Sequence, residues 1–113
     1  MTVEEAVRES LATAPGATLV SAGDGGAGAV VQRIRDSRAD FVLLLIDSAV
    51  PALDRAMLIG AIGPLATELA PRTRIGAIDI GAGADRGDVA AAARFLVAAM
   101  STTGQILTVV AED

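Results

Sequence analysis

One short segment, Asp40 to Asp47, sets the strongest limit on how this chain can fold. Its sequence, "DFVLLLID", places six apolar residues in succession between two carboxylates. A run of this length without alternation is typical of a strand whose two faces are both buried, as in parallel sheets covered by helices. The segment therefore predicts a sheet that carries helices on either side.

Helical and strand patterns alternate along the rest of the chain. Thr2 and Glu5 have capping-box spacing, and Asp85 and Asp88 have cap spacing before the last helix. The predicted helices cover Val3 to about Ala14, 27–38, 51–70 and 89–100, and the predicted strands cover 17–22, 40–47, 73–81 and 104–111. This order predicts one α/β domain over residues 1–113, a small Rossmann-like three-layer sandwich with a mostly parallel sheet of about four strands.

The expected connections between these strands fix where the helices should lie. Right-handed crossovers between strands added in chain order would place three helices on one face of the sheet. The N-terminal helix alone would then cover the other face. An uncovered apolar sheet face of several hundred Å² usually marks an interface, so this arrangement predicts an oligomer.

The residue types that the chain lacks narrow its chemistry. It contains no His, Lys, Cys, Tyr, Trp or Asn, and all nine basic residues are arginines. Proton transfer near neutral pH usually depends on His, or on Lys, Tyr or Cys with shifted pKa values. A catalytic triad, a Schiff base and a thiolate metal site are excluded, and we expect no metal. Catalysis would need carboxylates, hydroxyls, arginines and backbone amides, or a site shared with another chain.

Charge and hydropathy indicate which partners and which cellular compartment to expect. The net charge of −5 argues against nucleic acid as a partner. No apolar run approaches the ~18 residues of a membrane span, and Glu4 and Glu5 near the start do not resemble a signal peptide. We therefore expect a cytoplasmic protein without a membrane partner. The Ala- and Arg-rich, Lys-free composition suggests a bacterial genome of high GC content.

A glycine-rich turn follows the first predicted strand. Gly23, Gly25 and Gly28 fit the pattern G-x-G-x-x-G, and Asp47 lies about 20 residues further on, where a ribose-binding acid belongs. Such a turn can hold a pyrophosphate on backbone N–H groups at a helix N-terminus. Asp24 places negative charge in the path of the phosphate, so an inherited tight turn is the alternative interpretation.

The second half of the chain resembles the short-chain dehydrogenase/reductase (SDR) family. The segment "LATELAPRTRIGAIDIG" (65–81) is similar to the long helix that runs into the sixth strand of that family, and "RGDVAAAARFLVAAMSTTGQILTVV" (86–110) is similar to the following helix, the "TGQ" turn and the last strand. The resemblance implies a Rossmann-like fold and an NAD(P) cofactor, here in a chain of less than half the usual length.

The first half fits the family in two ways. In the first alignment, residues 20–28 match the T-G-x-x-x-G-x-G loop, with Ser21 in place of the Thr and Gly26 and Gly28 as the last two glycines. The resulting cofactor-binding candidates are Ser21, Gly23, Gly25, Gly26, Gly28 and Asp47. In the second alignment, "LVSAG" matches the fourth strand with its "NNAG" turn, "FVLLLIDS" matches the fifth, and Ser48 falls near the catalytic serine.

Both alignments place the wrong residues at the catalytic pair of the family. Pro51 stands where the catalytic Tyr belongs and Arg55 where its Lys belongs, and no shift can restore a pair that the chain does not contain. The resemblance therefore implies a truncated, non-catalytic SDR-like module, a structural or accessory subunit that requires no cofactor, although NAD(P) could still bind. The alternatives are an NAD(P)-dependent reductase of minimal size, built from Asp47 and Ser48 or completed by a partner, and a non-redox dehydratase or cyclase that uses carboxylates.

The helix predicted over 51–70 has no charged residue between Arg55 and Glu68. A surface helix normally has one polar face, so we expect this helix to be buried on two sides. The relatives implied by the resemblance assemble through their long helices. We therefore predict a homodimer, or a heteromer with a full-length SDR-like subunit, whose interface residues are Met57, Leu58, Ile59, Ile62 and Leu65.

Overall fold

A computed structural model describes residues 1–23, 26–99 and 102–111 of the chain. The eight predicted elements are all present, in the predicted order. Their bounds are α1 Val3–Leu11, β1 Ala17–Ala22, α2 Gly26–Asp36, β2 Phe41–Ile46, α3 Ala52–Leu69, β3 Arg74–Ile80, α4 Arg86–Ala98 and β4 Gln105–Val109. Helix α1 ends earlier than predicted because two turns lead the chain from Leu11 into β1. In the described part of the chain no helix is long and apolar enough to cross a membrane.

The four strands form one parallel sheet in the order β1-β2-β3-β4. All six residues of β2 are buried, as its uninterrupted apolar sequence predicts. Val42, Leu44 and Ile46 point into a core layer formed with α2 and α3, whereas Phe41, Leu43 and Leu45 point into a second layer formed with α1 and α4. The predicted α/β sandwich with a parallel sheet is therefore confirmed.

The placement of α4 differs from the prediction. The sheet order has α2, α3 and α4 each connecting neighbouring strands in the same direction across the sheet, but α2 and α3 cover one face and α4 covers the other beside α1. The β3-α4-β4 crossover consequently has the opposite hand to the first two. Since right-handed crossovers are the general rule, β3-α4-β4 is the exceptional connection.

Burial of the second sheet face explains this exception. Helix α1 has nine residues, of which Val7 and Leu11 are buried, so it covers only part of that face. Helix α4 adds Val89, Ala93 and Leu96 to the same layer. Both faces of the sheet are thus covered within one chain, and the predicted open sheet face, which supported an oligomer, is absent from the described residues.

The long helix α3 also differs in part from the prediction. Leu58, Ile62 and Leu65, three of the five predicted interface residues, are buried in the core of the chain itself against the sheet. Ile59 is partly buried beside the same layer, and Met57 is exposed. The first three are therefore corrected to core residues, because the inner side of α3 covers the sheet.

We expect Ile62→Ala to destabilise the fold strongly. Ile62 has no exposed surface, and truncation of such a side chain to Ala leaves a cavity that costs about 2–5 kcal/mol. Urea denaturation followed by circular dichroism measures the loss. Arg38→Ala, at an exposed residue, is the matched control and should change the unfolding free energy by less than about 0.5 kcal/mol. Equal midpoints for the two variants would contradict the assignment of Ile62 to the core.

Candidate functional site

The carboxyl ends of β1, β2 and β3 meet at one edge of the sheet, where open α/β sheets bind their ligands. A cavity of about 330 Å³ lies there, on the side covered by α1. Its polar lining comes from Glu4 in α1, Ser21 in β1, Arg33 in α2 and Asp47 after β2. Two of the predicted site residues, Ser21 and Asp47, therefore share this cavity, and Gly23 lies at its rim.

Ser21 connects β1 to α1 by a hydrogen bond between two residues that line the cavity. Its hydroxyl donates a hydrogen bond of 2.6 Å to Glu4 Oε1, the same oxygen that accepts from Arg8 at 3.2 Å. The bond from Ser21 is the largest cause that holds the pKa of Glu4 below its usual value, while the nearby negative charge of Asp47 acts in the opposite direction. Glu4 is therefore an ionised carboxylate that fixes the first turn of α1, and it is poorly suited to donate a proton.

Asp47 is held by its own loop. Its Oδ1 accepts a hydrogen bond of 2.9 Å from the N–H of Ala49, and the Ser48 hydroxyl lies 3.4 Å from the same oxygen. The N-cap residue of α3 is Pro51. The carboxylate thus stabilises the turn between β2 and α3 while remaining exposed at the cavity.

The glycine turn does not have the packing that a dinucleotide fingerprint requires. Gly26 has a positive φ of 76° and begins α2, but a Cβ placed on Gly23 or Gly28 would contact nothing within 4 Å. In the fingerprint the third glycine permits close packing of helix and strand, which Gly28 does not provide. Gly25 lies outside the described residues. The partly open space between Gly23, Gly26 and the start of α3 has a volume of about 30 Å³, enough for a water molecule.

The order of the strands also bears on whether a dinucleotide could bind. Dinucleotides bind where the order of strands reverses, at the centre of a doubly wound sheet. Here β1 lies at the edge and the four strands follow in chain order, so no reversal occurs among the described strands. This order favours the second alignment, in which β1 and β2 match the fourth and fifth strands of the family.

Arg55, which the resemblance aligns with the catalytic Lys, is engaged in structural contacts. Its guanidinium forms a salt bridge with the Asp79 carboxylate of β3, and it donates a hydrogen bond of 2.6 Å to the carbonyl of Asp47. Both partners of the salt bridge are about four-fifths buried. An arginine is effectively always protonated, so this group ties α3 to β2 and β3 without offering a proton.

Sequence reasoning did not predict the roles of Glu4, Arg33 and Asp79. Glu4 belongs to the first turn of α1, where acidic residues are common because they stabilise the helix. Arg33 lies in the sequence like any arginine on the solvent-exposed side of a helix. A signal existed for Asp79, because a carboxylate inside an otherwise apolar strand needs a partner. The alternation of β3 places it on the face covered by α3, where Arg55 lies.

The fold, its two helix layers and the cavity at the carboxyl edge define a small Rossmann-like α/β protein. The chain belongs to the short chain dehydrogenase-like protein family, because the profile of that family matches residues 9–109. The match includes the first half of the chain as well as the segments that carried the resemblance. No curated protein and no solved structure matches the chain.

We expect Ser21→Ala to weaken the attachment of α1 in a manner that depends on pH. Loss of one hydrogen bond to a carboxylate should lower the unfolding free energy at pH 7 by about 1 kcal/mol. The folded-state pKa of Glu4 is lowered, so the contribution is complete above its ordinary value of 4.5 and is lost as the pH falls through the folded-state pKa. Urea denaturation from pH 7 to pH 3 should show the two proteins converging in acid, and a constant difference would contradict this role.

Proposed function

We propose that the chain is a non-catalytic SDR-like module, a pseudoenzyme that acts as a structural or accessory subunit by associating with another protein chain. The observation that carries the proposal is Arg55. At the position of the catalytic Lys, a permanently charged group is held by Asp79 and by the carbonyl of Asp47, next to Pro51 at the position of the catalytic Tyr.

The chemistry of the family supports this proposal. The Tyr supplies the proton that a carbonyl group needs when it accepts a hydride, and the Lys lowers the pKa of that Tyr. Pro51 has no ionisable group, and the chain contains no Tyr, Lys, His or Cys that could replace the pair. The cavity at the carboxyl edge of the sheet is lined instead by the Ser21 hydroxyl and by the carboxylates of Glu4 and Asp47. Of these, Glu4 has a lowered pKa, so at neutral pH it is ionised and has no proton to donate.

Two features support a role without a bound dinucleotide. The strands follow one another without reversal, and Gly28 does not bring α2 close to β1. The carboxylates of Glu4 and Asp47 also line the cavity and would repel a phosphate placed there. NAD(P) is therefore not required by the proposed function, and either a second copy or a full-length SDR-like subunit could be the partner.

The carboxylates of the cavity favour an alternative class of function, that of an enzyme. Asp47 and Glu4 line this cavity from opposite elements, and the Ser48 hydroxyl lies 3.4 Å from Asp47 Oδ1. This arrangement would suit a minimal reductase, or a dehydratase or cyclase that uses carboxylates. In each of these cases Asp47 would be essential to activity, which the non-catalytic proposal does not require.

Calorimetric titration and a turnover assay separate these functions. We expect no heat of binding when NADPH or NADH is added up to millimolar concentration, and no oxidation of either cofactor with a panel of ketones. A catalytically complete short-chain dehydrogenase serves as the positive control. Turnover that disappears in Asp47→Asn but persists in Asp36→Asn, an exposed carboxylate on α2, would refute the proposal in favour of an enzyme.

A further inference from the structure

The cavity at the carboxyl edge of the sheet combines an apolar floor with a charged opening. Leu45 and Ile80 are buried lining residues whose side chains belong to the layer covered by α1 and α4. Asp47 and Arg33 are exposed lining residues, and the side chain of Glu4 is about half exposed. Apolar groups together with a few polar groups at fixed positions are typical of a site for a small ligand.

The charges that line this cavity are out of balance. Glu4 and Asp47 are acidic and Arg33 is basic, which leaves the lining with one excess negative charge. The hydrogen bond from Ser21 is the largest cause that lowers the pKa of Glu4, and the negative charge of Asp47 acts against it. The two carboxylates are therefore close enough to repel each other, and a positive group placed beside both would relieve that repulsion.

Each of the two carboxylates has one oxygen available to a ligand. Glu4 Oε1 accepts the hydrogen bonds from Ser21 and Arg8. Asp47 Oδ1 accepts the hydrogen bond from the N–H of Ala49 in its own loop. Within the residues that the structure describes, no donor is bonded to Glu4 Oε2 or to Asp47 Oδ2. The site thus offers two anionic acceptors above an apolar floor.

We propose that this cavity binds a small protonated alkylamine, whose ammonium group contacts Glu4 and Asp47 and whose hydrocarbon chain lies on Leu45 and Ile80. An ammonium group has three N–H donors, so it can bond to both available carboxylate oxygens at once. Its single positive charge balances the excess negative charge of the lining. The cavity volume of about 330 Å³ corresponds to roughly ten water molecules, which suits a ligand of roughly six to ten non-hydrogen atoms.

The same groups are poorly suited to a metal ion or to an anion. Magnesium and calcium take about six to eight oxygen ligands, whereas the described part of the chain contains no cluster of three or more His, Cys, Asp and Glu side chains that could hold a metal. An anion would be repelled by Glu4 and Asp47. Arg33, the basic residue of the lining, already donates a hydrogen bond of 2.8 Å to the carbonyl of Ser21.

Part of this site lies outside the segment that the family profile matches. Val3 and Glu4 line the cavity from α1 and precede residues 9–109. The contribution of α1 to the site therefore does not follow from membership of the family. Binding of an amine also needs neither hydride nor proton transfer, so this inference goes beyond the proposed accessory role and does not depend on it.

Titration followed by two-dimensional ¹H–¹⁵N NMR tests the site on the complete chain. The probe is hexylammonium chloride, and sodium chloride at the same concentrations is the reference for ionic strength. We expect saturable shifts of the amide signals of Glu4, Ser21 and Asp47, with a dissociation constant on the order of millimolar because the ligand is small. Hexanol, which lacks the charge, and hexanoate, which reverses it, should each bind about fivefold more weakly or worse.

Two variants and a matched control assign the binding to the carboxylates. Glu4→Gln and Asp47→Asn each remove one charge but keep an oxygen that can accept the hydrogen bond from Ser21 or from Ala49. We expect each variant to bind hexylammonium about fivefold more weakly or worse. Glu9→Gln removes one charge from an exposed position on α1 and should leave the dissociation constant unchanged. Circular dichroism confirms that all three variants fold.

Five results would overturn the proposal. Equal affinity for hexanol indicates an apolar pocket in which charge has no role, and tighter binding of hexanoate indicates an anion site. An equal loss of affinity in Glu9→Gln indicates nonspecific attraction of a cation to an acidic chain. Absence of saturable shifts at about 50 mM hexylammonium indicates that the cavity is not a site for amines. Tighter binding of Nα-acetyl-lysine methylamide than of hexylammonium assigns the ammonium group to a lysine of a partner protein.

The outcome of this titration is separate from that of the turnover assay. Loss of the amine site leaves the non-catalytic role in place, because no step of that role uses the ligand. Turnover with ketones rejects the non-catalytic role, whatever the affinity for hexylammonium.

Discussion

The burial of β2 on both faces is the constraint on which the rest of the structure depends. Six consecutive apolar residues leave no side of the strand that can face water, so each face of the sheet needs its own helix layer. Helices α2 and α3 supply one layer. The other layer needs more than the nine residues of α1, and α4 joins it although this gives the β3-α4-β4 crossover the less common hand. Burial of the second sheet face thus outweighs the preference for a right-handed crossover.

The same constraint explains which parts of the structure could be predicted from the sequence. The helices and strands were predictable because caps such as Thr2 and Asp85 and the apolar run of β2 act locally, and the observed caps confirm them. The face of the sheet on which α4 packs was not predictable. The handedness rule expresses a general preference and takes no account of an α1 that is too short to cover its face alone. The burial of Ile62 was missed for a related reason: the apolar outer surface of α3 obscured the side that faces the sheet.

The candidate site was predictable only in part. Ser21 and Asp47 were identified from motif spacing and do line one cavity, but the residues that determine their surroundings come from distant segments. Glu4 lies 17 positions before Ser21, and Asp79 lies 24 positions after Arg55. Pairings of this kind follow from the register of the sheet and the layer of each helix, which the chain sets only when it folds. The arginine that the resemblance aligns with a catalytic lysine thus places its positive charge in a salt bridge with a carboxylate of β3.

Arg33 has a consequence for how the sheet behaves in a crowded solution. Strand β1 forms an edge, and "ATLVSA" contains no charge or proline that would discourage another strand from adding to it. Arg33 reaches from α2 to the carbonyl of Ser21 with a hydrogen bond of 2.8 Å, so an acceptor on this edge strand is already occupied and a positive charge stands beside it. A charge beside an edge strand is a feature that disfavours the addition of another strand, so Arg33 protects this edge of the sheet.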